Sequence, residues 1–118
     1  MKGTVTLIVP CYNEEESLPI FYHAVCDVAQ TLPDYQMTFL LINDGSKDNT
    51  LQIMRDLAVK DERVKYLSFS RNFGKEAAMY AGFCNAEGDY VAVMDADMQD
   101  PPSLLPQMIE ILEKEGYD

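Results

Sequence analysis

Two aspartates separated by one residue, Asp95 and Asp97, with Gln99 two positions further on, are the residues of this 118-residue chain best suited to chemistry. They follow a short apolar run, Tyr90-Val91-Ala92-Val93-Met94, that reads as a buried strand. Side chains on an extended chain alternate between faces, so extension through residue 99 would turn all three oxygen-bearing side chains the same way. Two carboxylates and an amide carbonyl are hard ligands, matched to Mg²⁺ or Mn²⁺ and not to a soft metal. Asp100-Pro101-Pro102 then ends the strand, because proline has no amide donor and restricts the residue before it. An Asp-x-Asp alone also occurs in acidic, solvated loops, so its weight depends on what the chain brings beside it.

The elements that must position these residues follow from hydrophobic periodicity. Residues 4–10 (TVTLIVP), 37–42 (MTFLLI), 64–69 (VKYLSF) and 90–94 (YVAVM) are apolar, strand-like runs, the first and second near-continuous as in strands covered on both faces. Between them, Phe21, Ala24/Val25, Val28/Ala29 and Leu32 recur at helical spacing, with Pro19 tolerable in a first turn and Leu32-Pro33-Asp34 as the stop. A second helix carries Leu51, Met54, Leu57 and Ala58, with Ser46 or Asp48 as its cap. A third carries Ala77, Ala78, Ala81 and Gly82, small residues that let it approach a sheet closely. Ser103 caps a fourth, with Leu104/Leu105, Met108/Ile109 and Leu112 inward. The order βαβαβαβα predicts a three-layer α/β fold around a mainly parallel, Rossmann-like sheet with right-handed crossovers.

Bulk properties narrow the function. The length suits one domain. A formal net charge of −11 leaves no basic stripe for nucleic acid, and it means that a phosphorylated ligand needs a bridging cation. No apolar run approaches the ~20 residues that span a bilayer, and no signal peptide is evident, so the chain reads as soluble. Cys11, Cys26 and Cys84 are odd in number and widely spaced, which points to reduced, mostly buried thiols and not to zinc or disulfides. His23, the one histidine, falls on the surface or boundary of the first helix. Glu115-Gly116-Tyr117-Asp118 sits where a helix would hand over to another strand, so residues 1–118 read as the front part of a longer protein.

In an open parallel sheet, ligands bind beyond the carboxyl ends of the strands. Four polar segments fall there: residues 10–14, 43–46, 70–75 and 95–100. The first turn lacks G-x-G-x-x-G and no P-loop is present, so a diphosphate at this acidic rim must be held by metal. The segments Val9-Pro10-Cys11-Tyr12-Asn13-Glu14-Glu15, Ile42-Asn43-Asp44-Gly45-Ser46-Lys47-Asp48-Asn49-Thr50 and Met94-Asp95-Ala96-Asp97-Met98-Gln99-Asp100-Pro101-Pro102 resemble, in order, the motifs of family 2 glycosyltransferases of the GT-A fold. Ser68-Phe69-Ser70-Arg71-Asn72-Phe73-Gly74-Lys75-Glu76-Ala77-Ala78 resembles more narrowly the polyprenyl-phosphate sugar transferases, the dolichol-phosphate mannose synthases and undecaprenyl-phosphate glucosyltransferase-like enzymes.

The resemblance implies a nucleotide-sugar-binding part of a catalytic domain, truncated before the acceptor-binding and any membrane segments. It matches Pro10, Tyr12, Asn13 and Glu14 to the nucleoside pocket, Asp44 to a contact with base and ribose, and Asp95 and Asp97 to the catalytic D-x-D pair. Gln99 matches an additional oxygen ligand to the Mg²⁺ or Mn²⁺ held by those aspartates. Lys75 and Arg71 are matched to phosphate or sugar contacts, with a surface salt bridge as the equal alternative for each. The implied activity is inverting, metal-dependent transfer of a hexose from a UDP- or GDP-linked donor to a polyprenyl phosphate at the cytoplasmic face of a membrane. On that reading this part binds donor only, and homo-oligomerisation stays open. The rivals are a glycosyltransferase with a saccharide or other cell-envelope acceptor, a nucleotidyltransferase-type nucleotide-binding module and, far behind, a phosphoacceptor receiver domain, whose third strand would end in a carboxylate where this chain has Phe69-Ser70-Arg71.

Overall fold

The computed structural model describes residues 3–97, 105–107, 109 and 110. Seven elements alternate along residues 3–97: β1 (Gly3–Cys11), α1 (Ser17–Gln30), β2 (Tyr35–Asn43), α2 (Thr50–Lys60), β3 (Val64–Ser68), α3 (Lys75–Asn85) and β4 (Tyr90–Val93). Residues 105–107, 109 and 110 are helical, in the region expected to form the fourth helix. The four strands form one parallel sheet in the order β3-β2-β1-β4. The α/β class, the parallel sheet and the alternation match the sequence expectation.

The near-continuous apolar runs of β1 and β2 reflect burial on both faces. Val5, Leu7, Val9 and Cys11 alternate with Ile8 along β1, and Met37, Phe39 and Leu41 with Leu40 and Ile42 along β2. The first set packs against Leu18, Phe21 and Val25 of α1, Met54 of α2, and Leu105 and Ile109. The second meets Ala78 of α3. Gly82 brings α3 so close to β1 that an added Cβ would lie 2.4 Å from Ile8 Cγ2, which gives the small residues of that helix their packing role.

Four local expectations change. All four residues of β4 are half-buried, where a buried strand was expected; among the described residues β4 has a strand neighbour, β1, on one side only. The N-cap position of α2 is Asn49 and neither Ser46 nor Asp48. Asp48, one residue earlier, still accepts the Thr50 N–H at 3.0 Å, whereas Ser46 Oγ accepts the Asn13 N–H and serves a different loop. The cysteines are not mostly buried: Cys11 is buried, Cys26 half-buried and Cys84 exposed. β3 and β4 each end one residue early, although Phe69 and Met94 still donate to Asn43 and Ile8 across the sheet. Among the described residues, no helix is long and apolar enough to cross a membrane.

Candidate active site

The crossovers set where a ligand can enter. The connections β1–α1–β2 and β2–α2–β3 travel one way across the sheet, and β3–α3–β4 travels back past β1 and β2. Helices α1 and α2 thus cover one face and α3 the other, so the chain parts between the carboxyl ends of β1 and β4, where open α/β sheets bind ligands. A crevice of about 460 Å³ lies there, lined by Pro10, Cys11, Tyr12, Glu14, Asp44, Asn72, Gly74, Lys75, Asp95 and Asp97.

Three loops build its walls, and side-chain bonds tie them together. Asn13, at φ +54°, donates its N–H to Ser46 Oγ and accepts the Lys47 N–H on Oδ1 at 2.8 Å. Asparagine tolerates that left-handed backbone better than most residues. The Glu14 N–H donates to Thr50 Oγ1 and the Glu15 N–H to Asp48 Oδ2. Burial raises the Asp48 pKa, but bonds from Thr50 and Glu15 outweigh it and hold the carboxyl below its ordinary value. The second loop is fastened to the third by Asp44, which is 3% exposed. Its carboxylate accepts the Phe73 N–H at 2.8 Å, the Gly74 N–H at 3.0 Å and Asn72 Nδ2 at 3.1 Å. Gly45, at φ +68°, lets these loops touch: a Cβ there would lie 2.2 Å from the Arg71 carbonyl carbon.

On the far wall the extended chain stops at Asp95. Ala96 and Asp97 form a turn, Ala96 is buried, and Asp97 is exposed. The expected alternation of Asp95, Asp97 and Gln99 along one strand is therefore replaced by a turn, which still leaves both aspartates lining the crevice. Gln99 lies outside the described residues. Lys75 Nζ stands 2.8 Å from Asp95 Oδ1. Arg71 lies over the Phe73 ring at 4.6 Å and does not line the crevice. Asn13 faces a neighbouring hollow with Glu14, Glu15, Glu16, Ser17, Asp48 and Asp97. Burial foremost, then the charges of Glu14, Asp95 and Asp48, push the Cys11 thiol far above its ordinary range and favour its protonated form.

Of the residues expected from sequence, Pro10, Tyr12, Glu14, Asp44, Lys75, Asp95 and Asp97 converge on one crevice. Asn72 and Gly74 line it too and were given no role from sequence; the buried acid at the end of β2 needed donors, but nothing local said which. Among the described residues, no three His, Cys, Asp or Glu side chains form a metal-holding group. Two carboxylates nevertheless suit Mg²⁺ or Mn²⁺, which usually binds through one or two carboxylates and substrate phosphates.

Likeness to known proteins extends to family and fold. The description "Glycosyl transferase family 2" matches residues 6–118, and the chain belongs to that family. It is 49% identical over 106 residues to the bactoprenol glucosyl transferase of Shigella phage SfV, covering 90% of this chain and 34% of the relative. The chain thus spans about a third of the length of the curated relatives it matches. Among solved structures, a mannosyltransferase from Pyrobaculum calidifontis in complex with GDP-Man and Mn²⁺ superposes with a TM-score of 0.72 at 23% identity, over 95% of this chain and 33% of that one. TarS 1-349 of S. aureus in complex with UDP-GlcNAc gives 0.72 at 23% identity, over 94% and 31%. At that identity the likeness establishes the fold. Family membership sets aside the nucleotidyltransferase and receiver readings.

Proposed function

We propose that the crevice between β1 and β4 binds the diphosphate of a UDP- or GDP-linked sugar with a divalent cation, and that the full-length protein transfers the hexose to a polyprenyl phosphate with inversion. The observation that carries this reading is the convergence of Asp95 and Asp97 with Pro10, Tyr12, Glu14 and Asp44 at the switch point of the sheet. The relative named for bactoprenol glucosyl transfer supports the lipid acceptor. An acceptor phosphate would place work at the cytoplasmic face of a membrane.

Tyr12 and Glu14 line the nucleoside side of the crevice, with Asn13 holding their loop in shape. Asp44 keeps acceptor capacity beyond its three bonds, because a carboxylate offers about four lone-pair directions. Asp95 and Asp97 would hold Mg²⁺ or Mn²⁺, with Gln99 as a further ligand. When bound, the cation supplies Lewis-acid stabilisation of the departing diphosphate. An acceptor phosphate oxygen forms the new bond to the anomeric carbon as the bond to the nucleoside diphosphate breaks. The acceptor is already anionic, so no general base is required.

Calorimetric titration with UDP and GDP, each in Mn²⁺ and in EDTA, tests the donor half. Wild type should bind at least one diphosphate more tightly with Mn²⁺, and Asp97→Ala should lose that dependence. Equal affinity in EDTA would return the aspartates to a solvated loop.

A further inference from the structure

Lys75 is the first residue of α3, and its ammonium is paired with Asp95. That is an unfavourable end of a helix for a cation, since aligned peptide dipoles leave the N-terminus partly positive. The preceding backbone holds it there. Phe73 and Gly74 are fixed by their bonds to the buried Asp44 carboxylate, and Gly74 takes φ +104° just before the helix begins. Lys75 is thereby delivered across the crevice to the carboxyl end of β4. The Asp95 side chain is 23% exposed and that of Lys75 57%, so the carboxylate is the more enclosed partner of the pair.

We propose that Lys75 is a built-in cation for Asp95, which a divalent metal must displace, and that this exchange couples metal binding to diphosphate binding. A metal arriving alone breaks the ion pair and leaves an ammonium beside it, and like charges a few ångströms apart repel. A diphosphate arriving with the metal gives the released ammonium an anion, at a helix terminus that also favours one. Each ligand then strengthens the other, by the same factor in both directions. This inference rests on reading Asp95 and Asp97 as metal carboxylates.

Mn²⁺ alone, followed by the loss of its free-ion EPR signal, is the first probe, on wild type, Lys75→Met and Lys75→Arg; UDP and GDP are then added. Lys75→Met should bind Mn²⁺ alone about threefold to tenfold more tightly than wild type. Its further gain on adding diphosphate should shrink, while Lys75→Arg should behave as wild type. If Lys75→Met leaves Mn²⁺-alone affinity unchanged or weaker while Mn²⁺ still binds with diphosphate, the exchange is overturned and the metal site stands. If Asp95→Asn takes Mn²⁺ as well as wild type does, or no form takes it with either nucleotide, the metal-site reading falls and the exchange with it.

Discussion

Asp61 joins two parts of the chain through one carboxylate. It accepts the Tyr22 hydroxyl from α1 and the Arg63 guanidinium, which also lies 5.7 Å from the Phe39 ring centre. The Arg63 bonds foremost, against burial and with help from Tyr22, hold the Asp61 carboxyl far below its ordinary value. A carboxylate whose pKa is depressed by folding contributes stability that is present above the unfolded value and lost as pH falls toward the folded one. Asp61→Asn should therefore cost about 1 kcal/mol at neutral pH and soften the decline of stability below about pH 4. Urea denaturation at a series of pH values checks this, and parallel pH profiles for the two proteins would rule Asp61 out. Asp44 marks how far single residues can be read. Its place at the end of β2 was enough to put it in the crevice. Its bonds to residues 72–74 depend on which loop lies beside that strand, and no local pattern records that.

Helix α3 shows the same limit at the level of elements. Its alanines and glycine announced close packing, yet Gly82 also weakens the helix by up to about 1 kcal/mol relative to alanine. The structure decides between the two effects, because a methyl at Gly82 would lie within 3.2 Å of three Ile8 side-chain atoms, the nearest at 2.4 Å. Overpacking of this kind costs about 1–3 kcal/mol, so Gly82→Ala should lower the melting temperature despite the better helix former. A raised melting temperature would show that α3 can move off β1 freely. Strand positions were legible to within a residue or two because burial on both faces writes long apolar runs. The half-burial of β4 was not, since having one strand neighbour among the described residues is a property of strand order and not of the four residues Tyr90–Val93.

At the scale of the molecule, alternation of strand and helix fixed the class, and the polar strand ends fixed the ligand rim. The order β3-β2-β1-β4 supplied what alternation could not, a parting of the chain with the aspartates on one side and Pro10, Tyr12 and Glu14 on the other. That rim is braced before any ligand arrives, and the bracing has a consequence for how the protein breathes. Loop amides ordinarily exchange their hydrogens with solvent through small local openings. The amides of Phe73 and Gly74 end on a carboxylate that is 3% exposed, and that of Glu14 ends on the buried Thr50 hydroxyl. None can open without disturbing the end of β2 or the start of α2. In deuterium exchange these loop amides should be retained alongside the inner sheet, while the amides of an unbraced loop would be lost within seconds. The mouth of the crevice would then keep time with the core, and a donor would meet a rim already set.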